Sequence, residues 1–411
     1  MNMSSGDIAW VIVATALVML MTPALGFFYA GLVRRKNMLS TLVQCLIIFA
    51  VVSLVWTLWG YSLVFGPSIR GVIGDLSRAG LANVGTAPNA AYAPLIPELL
   101  FFAFQLKFAA ITPALIIGAF VERIHFRSML IFIILWSTLI YSPVAHWVWN
   151  SDGWLRTLGA IDFAGGLVVH IAAGLSALAA ALVIGRRKDI EKKEEFKPSN
   201  IPYVILGAAI LWFGWFGFNA GSALAANEIA VYALVDTNLS AASAAISWMT
   251  VDWIMKGKPS AVGMAVGAVC GLVAITPGSG YVNVTSSIII GLIAGILSNL
   301  MSNWRASRTR IDDSLDVFSC HGVSGIWGSL ATGIFATILV NPTGVNGLLL
   351  GNPGLLGSQL IAILVVAFYS FFGSYLLLKF INIFSPLRVT AEEEEKGLDL
   401  AEHGEEAYAR Q

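Results

Sequence analysis

The chain alternates long apolar segments with short polar connections along almost its whole length. Eleven segments each carry about 20 mainly apolar residues, the length that an α-helix needs to cross the hydrocarbon core of a bilayer. The predicted spans are 8–33, 40–65, 95–120, 128–148, 162–185, 201–221, 233–255, 260–276, 284–303, 319–340 and 355–384. Only 12% of the residues are charged, whereas soluble domains carry about 25%. The sequence therefore predicts an all-α integral membrane protein.

Several other classes of protein are disfavoured by the same composition. The formal net charge is zero, so the chain has no basic field to attract nucleic acid. Cys45, Cys270 and Cys320 lie in apolar segments at irregular spacing, which indicates neither a disulfide framework nor a zinc site. We expect no metal and no cofactor.

The distribution of Lys and Arg predicts the orientation. Nineteen of the 24 follow odd-numbered spans or lie in the tail, and three (Arg70, Arg78 and Arg156) lie in the opposite loops. Since Lys and Arg of short loops stay in the cytoplasm, the N-terminus is outside and the C-terminus inside. We expect a transmembrane domain over residues 1–385 and a cytosolic tail over 386–411.

Short sequence motifs recur in the two halves of the chain. Span 1 ends Phe-Tyr-Ala-Gly at 28–31 and span 6 ends Phe-Asn-Ala-Gly at 218–221. His170 in span 5 and His321 in span 10 each stand four residues before a glycine. Unless the matches are coincidental, spans 1–5 and 6–10 form a 5+5 inverted repeat, with span 11 outside it. Such repeats place the substrate path between the halves, near the midplane.

The two histidines are ionisable groups inside predicted spans, where such groups usually have a function. The spans that carry them enter the membrane from opposite sides and place the two histidines at similar depth, so the two rings can meet at the centre. Facing neutral imidazoles can share a proton and form a polar step in an apolar tube. The alternatives are two separate core histidines or a metal site, and a metal is disfavoured because no carboxylate or thiolate accompanies them at helical spacing.

Two carboxylates precede the histidines. Asp162 lies eight residues before His170, and Asp316 lies five residues before His321. Both positions are near helix N-termini, where a carboxylate accepts hydrogen bonds from free backbone N–H groups. We expect Asp316 to be a cap only, and Asp162 to cap its helix and also to organise a cation site.

A group of aromatic residues and one hydroxyl is expected toward the outer half of the spans. Its members are Phe108, Trp149, Trp215, Phe218 and Ser222. Aromatic faces attract cations, each by about 0.5–2 kcal/mol, and a serine oxygen accepts a hydrogen bond from a donor such as ammonium. Ordinary interfacial packing is the alternative for each residue taken singly.

Four stretches together resemble the Amt/MEP/Rh ammonium transporter family, and the resemblance covers essentially the whole chain. The stretches are 162–186, 213–222, 312–325 and 387–409. Trp149 in place of an aliphatic residue favours the Amt branch. The resemblance implies an outer ammonium site at Trp149, Ser222, Phe108 and Asp162, a gate at Phe108 and Phe218, and a central pair at His170 and His321.

The resemblance also implies partners. It indicates a homotrimer with one pore in each subunit, surrounded by membrane lipid, with methylammonium as a substrate analogue. The tail resembles the family's regulatory tail through Gly397, Leu398, Asp399, His403, Gly404 and Tyr408. This similarity implies coupling between subunits and docking of a PII-type nitrogen-regulatory protein, with a merely solvated acidic tail as the alternative.

Lys107 departs from the family pattern, which places a small or polar residue directly before the gate. A residue adjacent to a pore-facing one points elsewhere on a helix, so we expect Lys107 to turn away and to extend toward the interface or to pair with Glu98 or another acid. A charge facing the pore, where it would repel the substrate, is the alternative.

The functional expectation is an ammonium transporter of the cytoplasmic membrane that carries ammonium nitrogen inward, with or without its proton. Three alternatives remain at this point. A sensor would bind ammonium and signal through the tail, a neutral-solute channel would conduct water or urea, and a membrane enzyme would need a catalytic constellation that the sequence lacks.

Overall fold

Eleven long helical segments form the chain in the computed structural model, which describes residues 3–188 and 197–408. They are α1 (Ser5–Leu32), α2 (Arg35–Phe65), α3 (Glu98–Ala119), α4 (Phe126–Trp136 continued by Ser137–Tyr141 and Ser142–Trp149), α5 (Gly166–Ile184), α6 (Ile201–Ala220), α7 (Glu228–Lys256), α8 (Ala261–Ile275), α9 (Val284–Arg308), α10 (Phe318–Val323 continued by Ser324–Phe335) and α11 (Pro353–Phe384). Within these described ranges, nine helices are long and apolar enough to cross a membrane, and α8 is a shorter apolar helix. The predicted fold class is confirmed.

Polar caps explain why several helix boundaries differ from the predicted spans. The Ser4 side chain accepts from the Asp7 N–H, so α1 begins at Ser5 and not at 8. Asn227 accepts from the Ala230 N–H, so α7 begins at Glu228 and not at 233. A prediction based on apolar length omits these polar first turns.

Some residues used in the sequence analysis lie outside the described ranges. They are Lys192 and Lys193 of the loop after α5, and residues 409–411 of the predicted tail, which include Arg410.

The segments that resemble each other in sequence pack against each other. Gly207 of α6 lies against Phe28 of α1, where an added Cβ would come within 2.5 Å of the Phe28 nitrogen. Gly174 of α5 meets Gly322 of α10 so closely that a side chain on Gly174 would overlap its backbone. Small residues allow such close helix approach in membranes. The close contacts therefore lie between α1 and α6 and between α5 and α10, as the inverted repeat predicts.

A small folded cap, which the apolar pattern of the sequence does not predict, joins α2 to α3. It contains two antiparallel hairpins, β1 (Ser68–Ile69) with β2 (Ile73–Gly74), and β3 (Pro88–Asn89) with β4 (Ala93–Pro97). The Glu98 carboxylate holds the cap to α3, since it accepts from the Tyr61 hydroxyl at 2.9 Å and the Asn89 amide at 3.0 Å and pairs with Arg78.

The tail packs across the connections at the opposite end. It contains α12 (Ala391–Lys396), a π-helical turn at Asp399–His403, and two anchoring acids. The Asp399 carboxylate accepts from the Leu39 and Ser40 N–H groups at the start of α2, at 3.1 and 2.7 Å. Glu402 lies 2.8 Å from His125 Nδ1. The tail and the basic loops after α1 and α3 therefore share one face.

A buried ion cluster joins the loops beneath the helices. Glu122 lies between Arg34, at 2.9 Å, and Arg187, at 2.5 Å, and Arg187 also pairs with Asp312 at 2.8 Å. Burial raises the pKa of Glu122, but the two guanidinium groups outweigh it and hold that pKa at about 2. The cluster ties the connections after α1, α3, α5 and α9 into one cytosolic floor.

Candidate functional site

An outer cavity of about 220 Å³ opens above the centre of the helices. Four of the predicted substrate-binding residues line it: Phe108, Trp149, Asp162 and Ser222. They come from α3, α4, the segment before α5, and the turn after α6, so the fold brings distant parts of the sequence to one chamber. We call this cavity the vestibule.

Hydrogen bonds fix the orientation of two vestibule side chains. The Trp149 indole N–H donates to the Asp162 carbonyl at 3.0 Å, and its ring meets Phe108 edge to face, with centroids 5.9 Å apart. The Ser222 hydroxyl donates to the Phe218 carbonyl at 2.8 Å. A hydroxyl has one donor and two acceptor positions, so Ser222 keeps a lone pair for a donor in the vestibule.

Asp162 caps the start of α5, as expected. Its carboxylate accepts from the N–H groups of Gly165, Gly166, Leu167 and Val168 at 2.6–3.1 Å. These four bonds occupy its oxygens with backbone donors. Asp162 therefore contributes negative charge to the vestibule mainly as a fixed group at a helix N-terminus.

Two phenylalanines close the floor of the vestibule. The rings of Phe108 and Phe218 are tilted by 37° with centroids 4.3 Å apart, and both residues are buried. Phe218 also lines the next cavity below. The pair therefore separates the two cavities.

The lower cavity, called the inner cavity below, is narrow and mostly apolar. Its volume is about 10 Å³, near the minimum that holds one water molecule. Its lining residues are Met21, Leu25, Ile111, Leu115, Val169, His170, Leu211, Trp215, Phe218, Val269 and His321. A small neutral molecule fits such a space better than a hydrated ion.

The two histidines meet in this cavity. Their Nδ1 atoms are 3.2 Å apart, and the rings are nearly parallel, at 18°. A hydrogen bond between two neutral Nδ1 atoms needs a proton on one of them only, so the rings adopt opposite tautomers. One ring then presents Nε2 as an acceptor and the other presents Nε2–H as a donor; the buried His170 Nε2 has no protein partner.

Local backbone structure explains how the rings reach each other. His170 lies in the π-helical segment Gly166–Ile171, and His321 lies in the π-helical segment Phe318–Val323. Such bulges often occur at functional sites, because the extra residue re-aims a side chain. An added Cβ on Gly325 would lie 3.1 Å from the His170 Cβ, so the glycine four residues after His321 makes room for the other histidine.

Trp215 was expected with the outer group, but the structure places it lower. Its ring stacks on His170 with centroids 5.4 Å apart, and its N–H donates to the Thr276 hydroxyl at 2.9 Å. Trp215 lines the inner cavity and is absent from the lining of the vestibule. Spacing could not separate the two levels because Trp215 and Phe218 are three residues apart on one helix.

The assignment of a cap to Asp316 is wrong. The Asp316 carboxylate pairs with Arg305 at 2.9 Å, whereas Asp313 accepts from the Val317 and Phe318 N–H groups at 3.1 and 2.7 Å. Asp313 stands eight residues before His321, the same spacing as Asp162 before His170. The repeat contained the signal, which the sequence analysis missed by choosing the carboxylate nearest the helix.

Gln105 is a vestibule residue that the sequence analysis missed. It lines the cavity one helical turn before Phe108, and its amide oxygen is buried without a protein partner. An unpartnered acceptor in an otherwise aromatic chamber is available to a donor. A glutamine three residues before Phe108 was the available signal.

Lys107 turns away from both cavities, as expected, but it does not pair with Glu98. Its ammonium group lies over the Phe49 ring of α2, 5.0 Å from the centroid. Glu98 is taken by Tyr61, Asn89 and Arg78. Of the alternatives considered for a lysine that turns away, pairing with Glu98 is therefore excluded.

Comparison with known proteins agrees with this arrangement. The model of the Ammonium Transporter Family matches residues 9–408. The chain belongs to the ammonium transporter family. It is 46% identical to the ammonium transporter of Bacillus subtilis, covering 99% of both chains, and 48% identical to ammonium transporter Amt1 of Archaeoglobus fulgidus, covering 99% of this chain and 100% of the relative.

Solved structures of the family share the fold. The crystal structure of Saccharomyces cerevisiae Mep2 matches with a TM-score of 0.89 at 38% identity, covering 95% of this chain and 89% of that one. A structure titled "Sensor Amt Protein" also gives a TM-score of 0.89, at 32% identity over 97% of this chain and 98% of that one. The chain is therefore a multi-pass membrane protein of a transporter family, and the sequence-based family assignment is confirmed.

Proposed function

We propose that the chain carries ammonium nitrogen across the cytoplasmic membrane, from the vestibule, past the Phe108–Phe218 gate and along the histidine pair. One observation carries the proposal: a polar aromatic chamber, a closed aromatic pair and a narrow histidine-lined cavity lie in succession between the two halves of the repeat. Such a succession can capture a cation and pass on a neutral molecule.

Capture of ammonium relies on aromatic faces and oxygen acceptors together. Trp149 and Phe108 supply ring faces, each of which attracts a cation by about 0.5–2 kcal/mol. Ser222 and Gln105 supply acceptors for the N–H groups of ammonium. The fixed charge of Asp162 adds to the attraction. Methylammonium, which keeps three N–H donors, is a suitable analogue.

Loss of the proton at the gate follows from the surroundings below it. A charge at the centre of a bilayer costs about 2.5 kcal/mol or more, and the inner cavity offers no carboxylate to offset it. Ammonia is neutral and small. It can donate to the unprotonated Nε2 of one histidine and accept from the Nε2–H of the other, and it is protonated again on the cytosolic side.

The route of the released proton decides whether transport carries current. Voltage-clamp recording of reconstituted protein separates the cases. A current that scales with ammonium means that the proton crosses as well, and flux without current means net movement of ammonia.

The proposed assembly is a homotrimer with a pore in each subunit and a cytosolic regulatory tail over residues 386–411. The contacts of Asp399 and Glu402 with α2 and the loop after α3 support a tail that senses the helices. We infer that this face takes up a PII-type nitrogen-regulatory protein, as the family resemblance implies. Binding of purified PII protein to the full chain, and its loss on removing residues 386–411, tests that step.

A sensor is the second candidate function, favoured by the structural relative titled "Sensor Amt Protein". Such a protein would bind ammonium at the vestibule and signal through the tail without conduction. Binding alone does not separate the two candidates, so the deciding measurement is flux.

The test of the proposal is uptake of labelled methylammonium into proteoliposomes. Wild type should take up the label, ammonium should compete with it, and His170→Ala, His321→Ala and Trp149→Ala should each alter uptake. Empty liposomes and the variant Ser307→Ala, at an exposed serine near the end of α9, are the controls. Binding of ammonium without any uptake would contradict conduction and support the sensor.

A further inference from the structure

Two of the three cysteines form a buried pair beside the inner cavity. Cys270 of α8 and Cys320 of α10 lie with their sulfur atoms 3.3 Å apart, and both are free thiols. Cys270 is fully buried and Cys320 is 5% exposed. Their separation of 50 residues in sequence gave no sign of this pairing.

The pair stands directly behind the pore wall. Val269 and His321 line the inner cavity, and each is the chain neighbour of one of these cysteines. Cys320 also lies within the π-helical segment that sets the direction of His321. A change at the thiols is therefore transmitted to His321 through a single peptide unit.

Two sulfur donors without further ligands favour some metal ions over others. Across the described residues, no group of three or more His, Cys, Asp and Glu side chains could hold a metal ion. Zinc in structural sites takes four ligands, so two cysteines do not complete its coordination. Soft ions with a filled d shell accept two thiolates in a linear arrangement and prefer sulfur to oxygen or nitrogen.

We propose that Cys270 and Cys320 form a two-coordinate site for a thiophilic ion of the Cu(I), Ag(I) or Hg(II) type, and that occupancy of this site stops conduction. A linear sulfur–metal–sulfur unit with bonds of about 2.3 Å needs sulfurs about 4.6 Å apart, wider than the observed 3.3 Å. The ion therefore pushes α8 and α10 apart at Cys320 and displaces His321 from His170.

Mercuric chloride is the probe, because the neutral molecule is not repelled by an apolar path as a bare cation is. Two S–H bonds break and two Hg–S bonds form, while two chloride ions and two protons leave. No oxidant or reductant takes part. The buried thiols thus bind by ligand exchange alone.

The binding test uses the full chain, reduced and then freed of reductant. One Hg(II) should bind per chain, and thiol titration after unfolding should fall from three groups to one. Cys270→Ala and Cys320→Ala should each weaken binding by about 100-fold, since each removes one of two linked ligands. Cys45→Ala, which removes the unpaired buried thiol, is the matched control and should leave the bound Hg(II) in place.

The conduction test measures methylammonium uptake with and without mercuric chloride. Wild type and Cys45→Ala should lose uptake, and Cys270→Ala and Cys320→Ala should keep it. Mercury that reacts equally with all three cysteines, or that binds the pair without affecting uptake, would overturn the inference. The binding arm does not depend on transport, so a chain that proves to be a sensor would still reveal whether the site exists.

Discussion

Asp162 and Asp313 are structural counterparts in the two halves of the chain. Each lies eight residues before a histidine of the central pair, and each carboxylate accepts from backbone N–H groups at the start of the π-helical segment that carries that histidine. The backbone donors at these helix starts would otherwise be buried without partners. The position of each imidazole therefore depends on a carboxylate two turns away.

Replacing Asp162 by alanine should destabilise the protein and reduce uptake. Loss of a capping carboxylate costs about 0.5–2 kcal/mol, and leaving several buried N–H groups unpaired adds to it. Thermal unfolding in detergent measures the first effect and methylammonium uptake the second. Asp162→Asn keeps one acceptor oxygen, so its stability and uptake should lie between those of wild type and Asp162→Ala. An alanine variant as stable as wild type would contradict the stabilising role of the cap.

Replacing Ser222 by alanine should raise the KM for methylammonium by about tenfold to a hundredfold, because a hydrogen bond from a charged donor contributes about 1.5–3 kcal/mol. The maximal rate should change less, since the serine lies above the gate. Ser307→Ala serves as control, because this exposed serine near the end of α9 also donates to the carbonyl four residues before it and does not line the vestibule. A lower maximal rate at unchanged KM would place Ser222 outside the capture step.

Replacing Lys107 by threonine should leave uptake within about twofold of wild type, because the ammonium group lies over Phe49 on the far side of the helix. The measurement is the initial rate of methylammonium uptake. A large rise would show that the lysine charge acts on the pore.

Replacing Glu122 by glutamine should destabilise the cytosolic floor by about 3 kcal/mol, since it leaves the buried Arg187 and the half-buried Arg34 with one acid fewer. Thermal unfolding of wild type and variant gives the difference. Asp152→Asn, at an exposed aspartate of the loop after α4, is the matched control for removing one carboxylate.

The lowered pKa of Glu122 predicts how the stability of the protein changes at acidic pH. Its pKa in the folded protein, about 2, lies below the ordinary value of 4.5, so its contribution of about 3 kcal/mol is present above pH 4.5 and is lost as the pH falls toward 2. Glu122→Gln should remove this part of the acid sensitivity. An identical pH dependence in both proteins would assign it to other groups.

The sequence predicts the positions of the helices and the histidine pair, because each depends on periodicity or on an exceptional residue in an apolar segment. Of the eleven predicted spans, nine correspond to described helices that are long and apolar enough to cross a membrane. The sequence does not separate Trp215 from the vestibule, since depth along a helix depends on where neighbouring helices cross. The Cys270–Cys320 contact and the Lys107–Phe49 contact join distant segments without any local pattern. The hairpins of the outer cap were missed because three of their four strands have only two residues, and such strands have almost no periodicity.

The volume of the inner cavity has a consequence for the energy supply of a cell. A space of about 10 Å³ holds about one water molecule, so a file of hydrogen-bonded waters does not fit over this stretch. Protons that cross here must be handed between imidazole nitrogens, and hydrated sodium or potassium would have to shed its water shell without replacement oxygens. Sodium and potassium gradients would therefore persist across a membrane that holds this chain, and the imidazole pair alone would decide whether the proton gradient leaks through it.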